Sequence, residues 1–209
     1  SHPDNIGAAA RAMHTMGFGR LAVVAPRVAA FAQDEEALAF ATHGQAVLRA
    51  ASSTGSLVDA IGGARLAFAM TGYGRQFGAP LLDLHTAAER ASELVAAGGE
   101  VAFVFGSERT GLANEEVLCC TDCCAIAADP QCASLNLAQA VQVVAYELQG
   151  ALHRFLGVAG IDPAMHRFAP APEVSVGEVE AVVTHWQQAL EALGYVAPDD
   201  PRPLGARLR

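Results

Sequence analysis

Four short runs of consecutive apolar residues constrain the fold of this chain more than any other feature. They cover residues 21–25, 66–70, 101–105 and 125–128, and segments with helical spacing of apolar residues separate them. A strand that is apolar at every position has to be covered on both faces, as strands in a parallel sheet are. The pattern therefore predicts an α/β domain with a mostly parallel sheet flanked by helices.

The amino-acid composition of the chain changes after residue 156. Residues 157–175 are rich in Gly, Pro and Ala, which indicates a linker between residues 1–156 and a C-terminal helical extension over residues 176–209. The extension carries one apolar stripe, which either the main domain or a second subunit has to cover. Its Arg-containing end is either a flexible basic tail or the start of a longer segment.

Composition narrows the functional classes. The chain has 209 residues, of which 52% are hydrophobic and 17% are charged, so it can bury a substantial core. No apolar run is long enough to cross a bilayer and no secretion signal opens the sequence, which predicts a cytoplasmic protein. The net charge of −9 argues against a broad nucleic-acid-coating surface. All 13 cationic side chains are Arg, which suits local bidentate phosphate contacts.

The five cysteines lie in one short segment, residues 119–132, and include a C-x-x-C pair. Such a pair raises the possibility of zinc or redox chemistry. However, the sequence supplies no second pair of ligands for a tetrahedral site. Structural thiols are favoured over a metal site, because free Cys is usually a small buried hydrophobe.

Three of the predicted strand ends carry unusual polar sequence, namely "TGYGR", "GSERTG" and "DPQCASLN". Ligands of open parallel sheets bind beyond the carboxyl ends of the strands, so these segments are candidate site loops. Neither the phosphate-binding G-K-[ST] loop nor the dinucleotide G-x-G-x-x-G pattern is present. Asn114 is predicted as a helix N-cap, and Ser134 either caps the helix that follows or faces a ligand.

Taken together, "NIGAAARAMHTMGF", "FGSERTGLANEEV" and "IAADPQCASLNLAQAVQVVAYEL" resemble, in this order, three motifs of a known family. The family is the SPOUT class of RNA methyltransferases, and within it the TrmH-like 2′-O-methyltransferases. The resemblance extends from residue 2 to about residue 156 and continues more weakly over the C-terminal helix. It is greatest to the members that methylate the ribose of nucleotide 32 in the tRNA anticodon loop.

The resemblance implies a SPOUT-type trefoil-knotted fold, a homodimer, tRNA as the substrate, and S-adenosylmethionine as the methyl donor. Carried over position by position, it also implies two sets of site residues. The cofactor contacts are Thr71, Gly72, Tyr73, Gly106, Ile126, Ser134 and Leu135. The catalytic and ribose-binding residues are Arg11, Asn5, Glu108, Ser134 and Asn136, and no metal is expected.

This sequence departs from the family pattern at two places. A β-strand precedes the first motif in the family, whereas here the motif starts at residue 5, so either the given residues do not include that strand or the sheet is incomplete. Residue 107 is Ser, where relatives often carry Arg, which predicts fewer phosphate contacts.

Methyl transfer to a ribose hydroxyl requires in-line positioning and removal of a proton from a weak acid. A guanidinium holds its proton tightly, so Arg11 either loses it with the help of a bound phosphate or stays charged and stabilises the forming alkoxide. The second role is favoured. Two other functions stay open, namely methylation of ribosomal RNA and a non-catalytic RNA-binding role.

Overall fold

The computed structural model describes residues 2–72, 79–129, 131, 134–158 and 174–195. Tyr73, Cys132, most of the predicted linker and the end of the chain fall outside these ranges. The chain divides into two units, residues 1–160 and residues 161–209, and each is described by itself.

The first unit alternates helices with short strands. Its helices of four or more residues are α1 (Pro3–Thr15), α2 (Glu35–Ala41), α3 (Gln45–Arg49), α4 (Leu57–Ile61), α5 (Leu84–Ala96), α6 (Asn114–Leu118) and α7 (Leu137–Leu156). Its strands are β1 (Ala22–Val24), β2 (Ser52–Thr54), β3 (Leu66–Met70), β4 (Leu81–Asp83), β5 (Val101–Val104) and β6 (Asp122–Ala125). The predicted α/β class is confirmed.

All strand pairs between these elements are parallel, as the apolar runs predict. They form two sheets rather than one, a pair β1-β2 and a four-stranded sheet in the order β4-β6-β3-β5. Strand β6 therefore lies between β3 and β4, although these two follow each other along the chain. The carboxyl ends of β6, β3 and β5 are consequently neighbours at one edge of the sheet.

The core of the four-stranded sheet lies against α5 and α7. Phe68 of β3 is fully buried and stacks on Phe103 of β5, with ring centroids 5.0 Å apart. Helix α5 packs its alanine-rich face against this core, and Val144 of α7 belongs to the same cluster. Apolar burial of this kind is the main stabilising contribution to such a sheet.

Helix α1 packs very closely against its neighbours. A Cβ at Gly7 would lie 2.1 Å from the Ala37 main-chain oxygen, so only glycine allows α1 to approach α2 this closely. The small-residue run in the first motif therefore serves helix packing. Arg11 lies on another face of α1, away from the buried Ile6 and Ala10, as the apolar stripe predicts.

Polar contacts link α5 to its surroundings. Arg90 pairs with the buried carboxylate of Asp122 at 3.1 Å, which compensates the burial of that charge. His85 lies between two carboxylates, with Nδ1 2.8 Å from Glu147 of α7 and Nε2 3.2 Å from Glu89. The hydrogen bond to Glu147, followed by the charge of Glu89, raises the pKa of His85 above its ordinary value of 6.5.

Several boundaries differ from the sequence-based predictions. The strand predicted at residues 125–128 is β6, three residues earlier, because the cysteines and not the alanines fill the buried positions. Strands β2 and β4 were not predicted, since each has three residues and is partly exposed. The N-cap of α6 is Ala113 and not Asn114, and the Ala113 N–H donates to the Glu116 carboxylate at 2.7 Å.

In the second unit the structure describes one helix, α8 (Val176–Ala192). A capping box opens it, in which Ser175 accepts from the Glu178 N–H and the Glu178 carboxylate accepts from the Ser175 N–H. Among the described residues of both units, no helix has the length and apolarity needed to cross a membrane.

Candidate active site at the head of helix α7

A cavity of about 390 Å³ opens where the chain leaves β3, β5 and β6. This volume lies within the range of small-molecule sites. One wall is the loop of residues 106–111, and the floor is the segment leading into α7. The lining residues are Met70, Thr71, Gly72, Phe105, Gly106, Ser107, Glu108, Arg109, Thr110, Gly111, Leu112, Ile126, Ser134, Leu135, Leu137 and Ala140.

The loop of residues 106–111 is a tight turn closed on itself. The Gly111 N–H donates to the Ser107 main-chain oxygen at 2.9 Å, and the Ser107 and Thr110 hydroxyls lie 2.8 Å apart. A Cβ at Gly106 would lie 2.1 Å from the carbonyl carbon of Gly111, so the loop closes only over glycine. Ser107 thus helps to close the loop through both its main chain and its hydroxyl.

The tip of this loop presents opposite charges to the cavity. Glu108 and Arg109 are both exposed and both line it. An apolar wall beside one acidic and one basic residue suits a ligand that has a flat heterocycle and an amino-acid end, since each part meets its complement. The cavity therefore fits S-adenosylmethionine in chemical character.

Asn136, and not Ser134, is the N-cap of α7. Its side-chain Oδ1 accepts from the N–H groups of Ala138 at 2.9 Å and Gln139 at 3.4 Å. The Gln139 side chain in turn accepts from the Asn136 N–H at 3.2 Å, which completes a capping box. The prediction that Ser134 caps the helix is wrong, because the helix begins three residues later, and Ser134 instead faces the cavity.

The same Asn136 joins the first motif to the third. Its Nδ2 donates to the Asn5 side-chain oxygen at 2.8 Å, across 131 positions of sequence. Two predicted site residues are thereby held together at the start of both α1 and α7. The Asn136 side chain is not part of the cavity wall, so the pair stands beside the cavity.

Arg11 lies in a separate groove between α1 and α7, with a volume of about 570 Å³. The groove is lined by small and polar side chains, namely Ala8, Arg11, Ala12, Thr15, Ala138, Gln139, Gln142 and Val143. The first turns of α7 separate the groove from the cavity. Leu137 and Ala140 line the cavity, whereas Gln139 lines the groove. Arg11 is six residues, roughly 9 Å along the helix axis, from Asn5.

Most of the predicted site residues are thus brought together. Seven of them share the cavity wall, namely Thr71, Gly72, Gly106, Glu108, Ile126, Ser134 and Leu135. Asn5 and Asn136 form a hydrogen-bonded pair beside it, and Arg11 is in the neighbouring groove. Tyr73 lies outside the described residues.

Sequence reasoning missed the apolar part of the cavity wall and the role of Gln139. Met70, Phe105 and Leu137 line the cavity from the ends of elements where the pattern indicates only core. The capping signature, an Asn followed three residues later by a Gln, is present at residues 136–139 and could have been found.

Of the four cysteines in the described residues, three are buried. Cys123 and Cys124 are fully buried in β6, and burial raises the pKa of Cys124 to about 12. Burial likewise raises the pKa of Cys120 to about 11, whereas Cys119 is exposed. Thiols with raised pKa values are poor nucleophiles and poor ligands at neutral pH. Within the described residues, no group of His, Cys, Asp and Glu side chains could hold a metal ion.

Comparison with known proteins gives a consistent result. Residues 1–146 match the model of the SpoU rRNA Methylase family. The tRNA (cytidine/uridine/adenosine-2′-O-)-methyltransferase TrmJ of Pseudomonas aeruginosa (strain UCBPP-PA14) is 37% identical over 214 residues, covering 100% of this chain and 81% of the relative.

Two solved structures are similar in fold and sequence. A "Probable Methyltransferase" from Bordetella pertussis Tohama I superposes with a TM-score of 0.68 and 44% identity, over 72% of this chain and 90% of the other. TrmJ from Z. mobilis ZM4 superposes with a TM-score of 0.66 and 30% identity, over 94% of this chain and 79% of the other.

Proposed function

Because the chain belongs to the SpoU rRNA methylase family, we propose that it transfers a methyl group from S-adenosylmethionine to a ribose 2′-oxygen of tRNA. The target proposed is nucleotide 32 of the anticodon loop, which follows from the sequence resemblance. The observation that carries the proposal is the meeting of all three motifs at the head of α7. The cavity, the Asn5–Asn136 pair and the Arg11 groove adjoin one another there.

The cavity supports the binding of the methyl donor. S-adenosylmethionine supplies an electrophilic methyl group on a sulfonium. Gly106 lets the backbone of the 106–111 loop close, and Ser134 and Leu135 line the cavity at the segment leading into α7. Glu108 and Arg109 offer a carboxylate and a guanidinium for the charged end of the donor.

In the proposed reaction the ribose oxygen forms a bond to the methyl carbon as the sulfur–carbon bond breaks. The hydroxyl proton is passed to water. Arg11 stays charged and stabilises the oxygen as negative charge develops on it, which is the kind of stabilisation that contributes most in water-poor sites. The Asn5–Asn136 pair holds the ribose in line, because a misplacement of about 1 Å can cost two orders of magnitude in rate.

We also propose that two copies form the working enzyme through the groove face of α1 and α7. Helix α7 separates Arg11 from the cavity of its own chain. A two-fold pairing through this face would bring the Arg11 guanidinium of the second copy to the same groove. Tyr146, 67% exposed on α7, adds apolar surface on the helix. The trefoil knot implied by the resemblance stays a prediction, and the insertion of β6 between β3 and β4 supports it.

The proposal is tested by transfer of labelled methyl from S-adenosylmethionine to unmodified bulk tRNA and, in parallel, to bulk ribosomal RNA. We expect label in tRNA at a linkage that resists alkaline hydrolysis, mapping to nucleotide 32. Label in ribosomal RNA alone would show that ribosomal RNA, and not tRNA, is the substrate. Binding of S-adenosylmethionine without transfer to either RNA would favour the non-catalytic alternative. We also propose that the reaction takes place in the cytoplasm, in keeping with the proposed tRNA substrate.

A variant of Arg11 tests the assigned role. Arg11→Ala is expected to bind S-adenosylmethionine with unchanged affinity by calorimetry and to lose methyl transfer, because the groove lies apart from the cavity. Equal loss of binding and transfer would show that Arg11 is structural. Mass measurement by light scattering gives the oligomeric state of the same sample, and a monomer with full activity would contradict the shared site.

A further inference from the structure

Gln139, which lies in the third motif but is not among the predicted site residues, makes two contacts with the helix cap. Its main-chain N–H donates to the Asn136 Oδ1 at 3.4 Å, and its side-chain Oε1 accepts from the Asn136 N–H at 3.2 Å. The pair of contacts is reciprocal, so both the main chain and the side chain of Asn136 are fixed by one residue.

The main-chain N–H groups at the head of α7 determine which way the Asn136 amide is turned, and the Gln139 side chain holds the Asn136 main chain in place. Its oxygen points into the helix end, where it also accepts from the Ala138 N–H at 2.9 Å. Its nitrogen must then point away from the helix, and it donates to the Asn5 oxygen at 2.8 Å. The Asn5 oxygen accepts this bond, which leaves the Asn5 side-chain nitrogen as a donor of the pair. The orientation of both amides follows from the cap.

Gln139 also lines the groove that contains Arg11. It therefore contacts Asn136 on one side and borders the groove of the guanidinium on the other, at the junction of the two parts of the site. The cap contact of Glu178 in α8, by comparison, involves no residue that lines the cavity or the groove.

We propose that Gln139 is a positioning residue for the methyl transfer, acting through Asn136 and Asn5. The inference rests on the proposed function. Removing the side-chain acceptor releases the Asn136 N–H, so the Asn136 main chain is no longer held from this side and the Asn5–Asn136 pair that it carries is less firmly placed, although the Ala138 and Gln139 N–H groups still bind the amide oxygen. The cofactor cavity is unaffected, because Gln139 is not part of its wall.

The test compares Gln139→Ala with Gln139→Glu, which keeps an acceptor at the same position. We expect kcat to fall roughly ten- to hundredfold in Gln139→Ala, as for a site held out of line. The affinity for S-adenosylmethionine should stay within about twofold of the unchanged protein. In Gln139→Glu kcat should be largely restored, while KM for tRNA rises because a negative charge borders the Arg11 groove.

A matched control separates positioning from helix stabilisation. Glu178→Ala removes the equivalent acceptor from the capping box of α8 and should lower stability by a similar amount without changing kcat. The proposal is overturned if Gln139→Ala keeps kcat within twofold, if Gln139→Glu is as inactive as Gln139→Ala, or if cofactor affinity falls with kcat. An unchanged protein that methylates neither tRNA nor ribosomal RNA would instead refute the proposed function.

Discussion

Asn136 both caps α7 and donates to Asn5, and substitutions can separate these two functions. Asn136→Ala removes the cap acceptor for Ala138 and Gln139 together with the donor to Asn5. Asn136→Ser keeps a cap acceptor, since Ser is an equally good N-cap, but its side chain is too short to donate to Asn5. Asn136→Asp keeps the acceptor and replaces the donating nitrogen by an oxygen.

The expected magnitudes differ for the two functions. Loss of an N-cap costs about 1 kcal/mol, which for a chain of this size lowers the melting temperature by about 3 °C. Asn136→Ala should show this shift, whereas the Ser and Asp variants should melt within about 1 °C of the unchanged protein. Loss of the bond to Asn5 leaves the ribose less well positioned, which costs about two orders of magnitude in kcat, and all three variants should show it.

The assay combines thermal melting, calorimetry with S-adenosylmethionine and single-turnover methyl transfer to unmodified tRNA. The neutral Ser variant controls for the added charge of Asp, which would weaken RNA binding by itself. If Asn136→Ser and Asn136→Asp keep full methyl transfer, the amide is only a cap and the assignment of Asn136 to the site is wrong.

Other consequences of the structure can be measured in the same way. Gly106→Ala should weaken S-adenosylmethionine binding by more than tenfold, because its Cβ meets main-chain atoms at 2.1 Å, whereas Gly19→Ala, with open space around it, should have no effect. The raised pKa of His85, caused first by Glu147, stabilises the fold below pH 6.5. That stabilisation is lost as the pH rises through the folded-state pKa. His85→Gln should therefore flatten the melting temperature between about pH 6 and 8, and an unchanged pH profile would contradict the pairing. Iodoacetamide at pH 8 should label Cys119 in the folded protein, while the buried thiols of β6 react only after unfolding. Mass spectrometry of the peptides reports this order, and early labelling of β6 would show that the strand opens.

The strands that could be predicted are those whose signal is local. Residues 66–70 are apolar at every position, and the predicted strand is the observed β3. Strand β4 has three residues, of which Leu81 is exposed, so no local pattern marks it. It exists because β6 pairs with it, and that pairing depends on tertiary packing rather than on propensity.

The helix caps show a different limit. The Asn136–Gln139 signature is present in the sequence, but the apolar spacing can be extended backward to Ser134, which places the helix start too early. At α6 the predicted cap is likewise one residue away from the observed one. Ala113 is the N-cap instead of Asn114, and its N–H donates to the Glu116 carboxylate. Helix boundaries depend on which of several adjacent polar residues adopts extended backbone, and periodicity does not determine this.

The order of the strands explains why the three motifs meet. With β3 between β6 and β5, the chain segments that leave these strands, beginning near residues 71, 106 and 126, emerge side by side. If β6 had instead paired at the outer edge of β5, the segment after it would be two strands away from Thr71 and Gly72. At about 4.8 Å per strand that displacement is roughly 10 Å, more than a hydrogen bond or an apolar contact can span. The position of β6 thus determines both where α7 starts and which loops its head faces. The apolar run of β6 would be equally well buried beside β3 or at the outer edge of β5. The pairing of β6 with β3 is therefore the part of the site that periodicity alone cannot predict.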